Sequence, residues 1–543
     1  MDFQRIFLFF IFSFSVFVLW DGWKREQQPV PVAASVNSTS ATSPNLSAVQ
    51  QPVPKVDTAS LKSRQTGDKI TVKTDFILAE IDTAGGDILR IELLKHFDTV
   101  DKSKPFVLFQ KDKNHTYIAQ SGLLGPNLPN HNSLFTASQK TYELQHDKDN
   151  LEVRLTANNE SGVKVSKIFI FHKSSYLVDV KYEIENFSRN SLTTSAYFQL
   201  LRDDIEPVGG TVFVPTYTGP AIYTTEDKFH KIDFPSIVKN KAVVPKQANN
   251  GWAGMLQHYF VSAWIPAGNI QREFFVKQLE DKLFSVGMVL PVATIEPGRV
   301  GDLTVPLYVG PATSNLDSVS EGLGLTVDYG FLTIIAKPVF WLLTTIHGFV
   351  QNWGFAIILL TILIKLGFFP LSAASYRSMA KMRVVAPKLA KIKEQYGDDR
   401  ERLNRAMMDL YKTEKINPLG GCLPVIIQIP VFISLYWAIL ASVEMRYAPF
   451  FGWITDLSRP DPYYVLPLIM GISMIIQSKL NPTPPDPMQA KLMQIMPVAF
   501  SVIFFFFPAG LVLYSVVNNV LSIAQQWYIT RNTEAEAKGA SKV

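Results

Sequence analysis

The sequence predicts a membrane α-helical bundle of six transmembrane helices joined to a large all-β domain outside the membrane. Apolar residues concentrate at 3–20 and again from 331 to 528, in blocks long enough to cross a bilayer. Between them, from about residue 61 to 315, the chain breaks into short runs of alternating polar and apolar residues, the period of half-buried strands. The composition agrees, since 47% of the 543 residues are hydrophobic and the mean hydropathy is positive. That is too apolar for a wholly soluble chain and too long for one domain.

At the N-terminus, Arg5 precedes an apolar run from Ile6 to Trp20. It has the length of a signal h-region or of a short span. The nearest small-residue cleavage site, Val32-Ala33-Ala34, lies beyond Lys24, Arg25 and Glu26, which favours an uncleaved anchor over 1–22. Residues 23–60, rich in Gln, Pro, Ser and Thr, read as a flexible linker. Residues 61–315 form the β domain. Ile70 to Phe76, Leu151 to Leu155 and Val178 to Ile184 alternate, and Gly85-Gly86, Asn158-Asn159 and Gly209-Gly210 punctuate them, which predicts a large β-sandwich.

Residues 328–348 are apolar enough to tempt a span, but Lys337-Pro338 interrupts them. A helix lying in the interface explains the lysine, the proline and Phe331, Phe340 and Trp341 better than a spanning one. Five spans follow within 349–530, at about 350–371 and 420–440, then from Asp461-Pro462 as N-cap and first helical residue to Asn481-Pro482. The last two are split by Pro508-Ala509-Gly510. The final three look short, which would thin the bilayer locally. The 372–418 loop is crowded with lysine and arginine, whereas 441–462 has only Arg446 and Arg459 as bases. The positive-inside rule therefore puts 372–418, the 479–491 loop, the 531–543 tail and the N-terminus in the cytoplasm, and the β domain outside.

Lys365 sits inside an otherwise apolar span, two turns from its end. It either snorkels to the headgroups or faces a water-filled cavity between helices. Thr361 lies one turn before it on the same face, Gln428 interrupts the next span, and Ser515, Asn518, Ser522 and Gln525 make one polar face on the last, flanked by Tyr514 and Asn519. Interhelical hydrogen bonding is the plain explanation for such residues. A whole polar face with a cation and a glutamine on other helices favours a wet groove.

Residues 372–418 read as a helical hairpin, with Met379, Met382, Leu389, Ile392 and Tyr396 on one stripe and Leu403, Met407, Leu410 and Tyr411 on the other. Gly397 breaks it and Asp398 caps the second helix. The stripes either pack on each other or, with Lys381, Arg383 and Met408, offer a basic, methionine-bearing surface to emerging hydrophobic segments or ribosomal RNA.

The one cysteine, Cys422, excludes an internal disulfide. No P-loop, H-E-x-x-H or G-x-S-x-G occurs, seven of the eight histidines scatter through the β region, and no basic stripe interleaved with aromatics suggests a nucleic-acid face. No cofactor is expected. A transporter would need paired hydrophobic repeats, which are not visible.

Specific motifs run through residues 328–530. They are Asn352-Trp353-Gly354-Phe355, Ser378-Met379-Ala380-Lys381-Met382, Leu410-Tyr411-Lys412 and Asn417-Pro418-Leu419-Gly420-Gly421-Cys422-Leu423-Pro424, then Asp461-Pro462-Tyr463-Tyr464, Asp486-Pro487-Met488 and Phe507-Pro508-Ala509-Gly510-Leu511-Val512-Leu513-Tyr514. In order and spacing they resemble the YidC family of membrane insertases, which includes the mitochondrial oxidase-assembly and thylakoid insertases. The anchor and β domain resemble its Gram-negative form, whose periplasmic domain is a sugar-mutarotase-like supersandwich.

The resemblance implies an inner-membrane insertase and chaperone without chemical catalysis, with a five-helix core and a groove open to cytoplasm and lipid. Its implied partners are nascent hydrophobic membrane proteins, the Sec translocon (SecY, SecE and SecG, with SecD and SecF) and the ribosome. Lys365 falls where many relatives carry arginine, and the lysine keeps the charge but loses the planar fork. Gln428 falls at the family's third-span polar position, and Tyr514 and Ser515 where its sixth span touches substrate.

Overall fold

The computed structural model describes residues 67–540, apart from 100, 159–161, 208–216, 281, 314, 398, 415–422 and 482–486. The expected anchor over 1–22, the linker, Asn159, Gly209-Gly210 and Cys422 fall outside these residues. The chain divides into a β unit ending at Gly310 and a helical unit beginning at Pro311.

The β unit is built on a ten-stranded and a nine-stranded sheet. The alternation read from the sequence is the alternation of faces. In the strand Leu177–Asn186, Val178, Val180, Tyr182 and Ile184 are buried, while Asp179, Lys181, Glu183 and Glu185 lie between them on the other face. This strand is central in the nine-stranded sheet, with Val180 opposite Phe169 on one side and Val305 on the other, both pairings antiparallel. A parallel pairing joins Lys69–Lys73 to Thr141–Glu143 at the edge of the ten-stranded sheet.

The sheets meet face to face across a core that includes a buried lysine. Lys167 is 1% exposed. Its Nζ donates to the carbonyls of Gly85 and Ser121 at 3.1 and 3.2 Å, and it lies 5.5 and 5.7 Å from the ring centres of Phe169 and Tyr182. Carbonyl dipoles and ring faces replace the water that the ammonium has lost. The Gly85-Gly86 turn joins Ile77–Asp82 to Asp87–Phe97 with φ values of 83° and 60°.

A Cβ on Gly86 would lie 2.9 Å from Lys167 Cδ, whereas one on Gly298, also at positive φ (71°), meets nothing. Gly86→Ala should therefore cost about 1–3 kcal/mol and Gly298→Ala about 1. Equal midpoints for the two variants in denaturant unfolding, followed by tryptophan fluorescence, would mean that Lys167 gives way freely.

The helical unit comprises α1 (Thr333–Val350), α2 (Trp353–Gly367), α3 (Phe369–Tyr396), α4 (Arg400–Thr413), α5 (Leu423–Ala441), α6 (Val465–Leu480), α7 (Pro487–Phe504) and α8 (Ala509–Ala540). Among the described residues, α1 is long and apolar enough to cross a bilayer, and α2 with α3 pass together as a pair bent by 67°. The apolar stretches Gln428–Ala441, Val465–Leu480 and Ile495–Phe504 are shorter.

Outward faces are apolar. Phe355, Leu359, Leu363 and Leu366 form an exposed stripe on α2, and Leu468, Ile469, Ile472, Ile475 and Ile476 another on α6. Inside, α6 turns Gly471 and Ser473 toward its neighbours. Apolar outside and small or polar inside is the arrangement that hydrocarbon solvent favours.

α1 runs through Lys337-Pro338 as one helix. Pro338 lies in its second turn, and the carbonyl left without a partner belongs to Ile334, whose 89% exposure shows how open that turn is. The cap of α4 is Asp399 in place of Asp398, its carboxylate accepting from the N–H groups of Glu401 and Arg402. Asp461-Pro462 does not begin α6, which starts at Val465 behind a left-handed Tyr464. Asp461 instead reaches forward to cap the helix from four residues upstream, accepting from Leu466 N–H at 2.8 Å.

Candidate functional site

The motif residues act first as joints at one end of the bundle, all made by the segment between α5 and α6. Asn352 caps α2 by accepting from Phe355 N–H, and its amide donates to the Phe450 carbonyl at 3.1 Å. Gly354 lies so close that a Cβ there would reach 2.0 Å from the Phe450 ring. Asp461, 1% exposed, accepts from Trp453 Nε1 (3.0 Å), Tyr463 N–H (3.0 Å) and Leu466 N–H (2.8 Å). The first N–H groups of α8, those of Ala509 and Gly510, donate to the carbonyls of Arg459 and Leu457 at 2.7 and 2.9 Å. The starts of three helices are thereby fixed at one place, and donors that helix geometry orphans are satisfied.

Toward the other end of the bundle, α2, α3 and α8 converge on Lys365. Its Nζ donates to Ser522 Oγ at 2.7 Å. Ser522 spends its single proton on the Asn518 carbonyl at 2.7 Å, and buried Tyr376 of α3 lies beside it. The serine oxygen therefore keeps its lone pairs for Lys365. Lys365 is half-buried, Ser522 buried at 3% and Tyr376 at 4%. The ammonium keeps two further donors, and among the described residues no carboxylate pairs with it. The cation is thus held in position while retaining capacity for an anion.

The remaining polar residues divide. Gln428 donates its amide to the Tyr514 hydroxyl across α5 and α8, with Tyr514 1% exposed and Phe432 against its ring. Tyr514 and Ser522 are eight residues apart on α8, about 12 Å along its axis. Thr361 and Ser515, both buried, return their hydroxyls to the carbonyls of Ile357 and Leu511 on their own helices, at 2.7 and 2.9 Å. Asn518 contributes the carbonyl under Ser522.

Tyr376 was not legible as part of this set, because it lies at the root of a segment whose charges mark it as a loop. Its signal is its place three residues after Ala373 and seven before Arg383, on the stripe of α3 that meets α8. Asn519 was legible only as a flank, and it donates to Ser473 Oγ at 3.0 Å to join α8 to α6.

The hairpin packs on itself. Val385 and Leu389 of α3 meet Met407, Leu410 and Tyr411 of α4, with Met382 alongside. Met379 belongs to the neighbouring cluster of Ala373, Tyr376 and Ile529. Met408 and Lys381 remain on the surface, whereas Arg383 turns inward.

Known proteins place the chain. Residues 69–342 match the model of the YidC periplasmic domain, and residues 345–536 that of the 60Kd inner membrane protein. Curated membrane protein insertases YidC from Nitrosospira multiformis and Methylobacillus flagellatus are each 53% identical, covering 100% and 99% of this chain and 99% and 98% of their own lengths. A crystal structure of an active YidC insertase with its first transmembrane domain resolved is 18% identical and covers 85% of this chain and 95% of its own, at a TM-score of 0.39. The matches define an inner-membrane protein with a β-rich periplasmic domain and a helical C-terminal region. The chain belongs to the YidC family of membrane protein insertases.

Proposed function

We propose that this chain inserts inner-membrane proteins, and helps them fold and assemble, through a hydrophilic groove in which Lys365 meets the incoming polar flank. The bundle lies in the inner membrane as six spans with both termini in the cytoplasm. The anchor occupies 1–22, α1 lies in the outer interface, and the supersandwich domain is periplasmic. A client segment of about 20 apolar residues is already more stable in lipid than in water. The barrier is the passage of its short polar flank, and a wet path with a cation in it lowers that barrier without nucleotide hydrolysis. Short helices favour the same outcome, since α6 with 16 residues spans about 24 Å against a hydrocarbon core of about 30 Å. Work alone or with the Sec translocon, on clients arriving from the ribosome, uses the same groove.

The observation that carries this reading is the lysine held on Ser522 between three helices with donors to spare. Gln428, backed by Tyr514, and Asn518 extend the groove along α8 and its neighbours, and Met408 and Lys381 give the hairpin a client-facing edge. Site-specific photocrosslinkers at 365, 518 and 428 should each capture a stalled nascent membrane protein. A probe at Met408 should do so earlier in translation, whereas one at buried Met407 should not. Adducts at 408 with none at the three groove positions would sink the groove.

A further inference from the structure

We infer that Arg383 is a positioning residue, a latch that fastens the cytoplasmic hairpin to the bundle. The inference rests on the insertase reading only for its functional arm. On α3, Tyr376, Ala380 and Arg383 follow at steps of four and three, so Arg383 continues the stripe that packs on α8 after its apolar residues end. The hairpin's own contact stripe, with Val385 and Leu389, lies on a different side.

Arg383 is therefore directed away from clients and toward the bundle. Its Nη2 donates to the carbonyl of Lys479 at 3.2 Å and to that of Leu480, and its Nη1 lies 3.8 Å from a carboxylate oxygen of Glu534. One guanidinium thereby joins α3 to the last turn of α6 and to the far end of α8. The last carbonyls of a helix have no partner within it and carry its negative end, so a cation suits them.

A second residue works at the same point. Gln526 of α8, 1% exposed, donates to the Leu480 carbonyl at 3.2 Å and to Asn481 Oδ1 at 3.0 Å. The end of α6 thus receives donors from both flanking helices, and removal of Arg383 leaves α8 attached while α3 loses its hold. The fork matters here, because two carbonyls and a carboxylate are reached from two nitrogens of one rigid plane. A lysine ammonium at this position reaches one side or the other.

The test measures hairpin position and client insertion separately, in the full-length protein in nanodiscs on a Cys422→Ser background. Nitroxide labels at Asn404→Cys on α4 and Ile475→Cys on α6 report their separation by pulsed electron resonance. Arg383→Ala should broaden the distance distribution, Arg383→Lys should give an intermediate width, and Glu534→Gln a small change. Insertion of a Sec-independent client should fall in the same rank order, several-fold for alanine. An unchanged distribution in Arg383→Ala overturns the latch, and so does an insertion defect that appears without broadening, since that marks a direct client contact. Broadening with full insertion keeps the latch as geometry and removes its functional arm. The lysine and glutamine variants keep the test available should the alanine variant fold poorly.

Discussion

Lys365→Ala is expected to slow insertion of clients with acidic flanks roughly five- to hundredfold, while Lys365→Arg retains most of the activity. The magnitude follows from the cost of carrying one carboxylate into the bilayer, about 2.5–3.5 kcal/mol on insertion scales, of which a nearby cation offsets about 1–3. Ser522 holds the ammonium through a single hydrogen bond, and any cation that reaches this hydroxyl can be seated there. Nothing at this seat calls for the planar fork of arginine. Clients whose flanks lack acids should be nearly indifferent to the substitution. The check is a depletion-rescue assay with paired clients differing only in flank charge. Equal rescue by lysine, arginine and alanine would end the electrostatic account.

Asp461→Ala should be the most destabilising single change in the helical unit, on the order of 3–4 kcal/mol. The carboxylate accepts from an indole and two backbone N–H groups in a site where it is 1% exposed. Alanine removes the acceptor from all three donors and leaves the buried Leu466 N–H at the start of α6 without it. Asparagine keeps one acceptor oxygen and should recover about half of the loss. Thermal unfolding of the purified protein in detergent would show this as a graded fall in midpoint, and an unmoved midpoint for alanine would show that the helix start is held by other means. Insertion should fall with folded yield, in contrast to Lys365→Ala, which leaves the midpoint in place.

These two positions also mark what a sequence can and cannot disclose. Strand alternation at Val178, Val180, Tyr182 and Ile184 was readable because burial on one face leaves a period of two in the residue types. The split at Pro508 was readable because proline and glycine end helices for local reasons. Lys365 stood out because charge in an apolar run is costly. Its seat on Ser522 was not readable, since it depends on which faces of α2 and α8 are turned together. Thr361 and Ser515 show the same limit from the other side. Both sit in the right register for a polar groove, yet each hydroxyl returns to its own backbone, a choice that no spacing rule distinguishes. Asp461 was recognised as a cap but assigned to a helix beginning too early, because its reach of several residues is a loop geometry and not a pattern.

The unbroken run of α8 from Ala509 to Ala540 makes that helix a lever. Ser522 and Glu534 are twelve residues apart, about 18 Å along a stiff rod. A tilt of roughly 5° about its fixed start at Ala509 displaces Ser522 by about 1.7 Å and Glu534 by about 3.3 Å, enough to separate a hydrogen bond from no bond. A client that pushes α8 aside at the depth of Lys365 would thus be felt at the Glu534 end, and a load on that end would be felt at the lysine. Stiffness over that span lets the bundle coordinate its two ends.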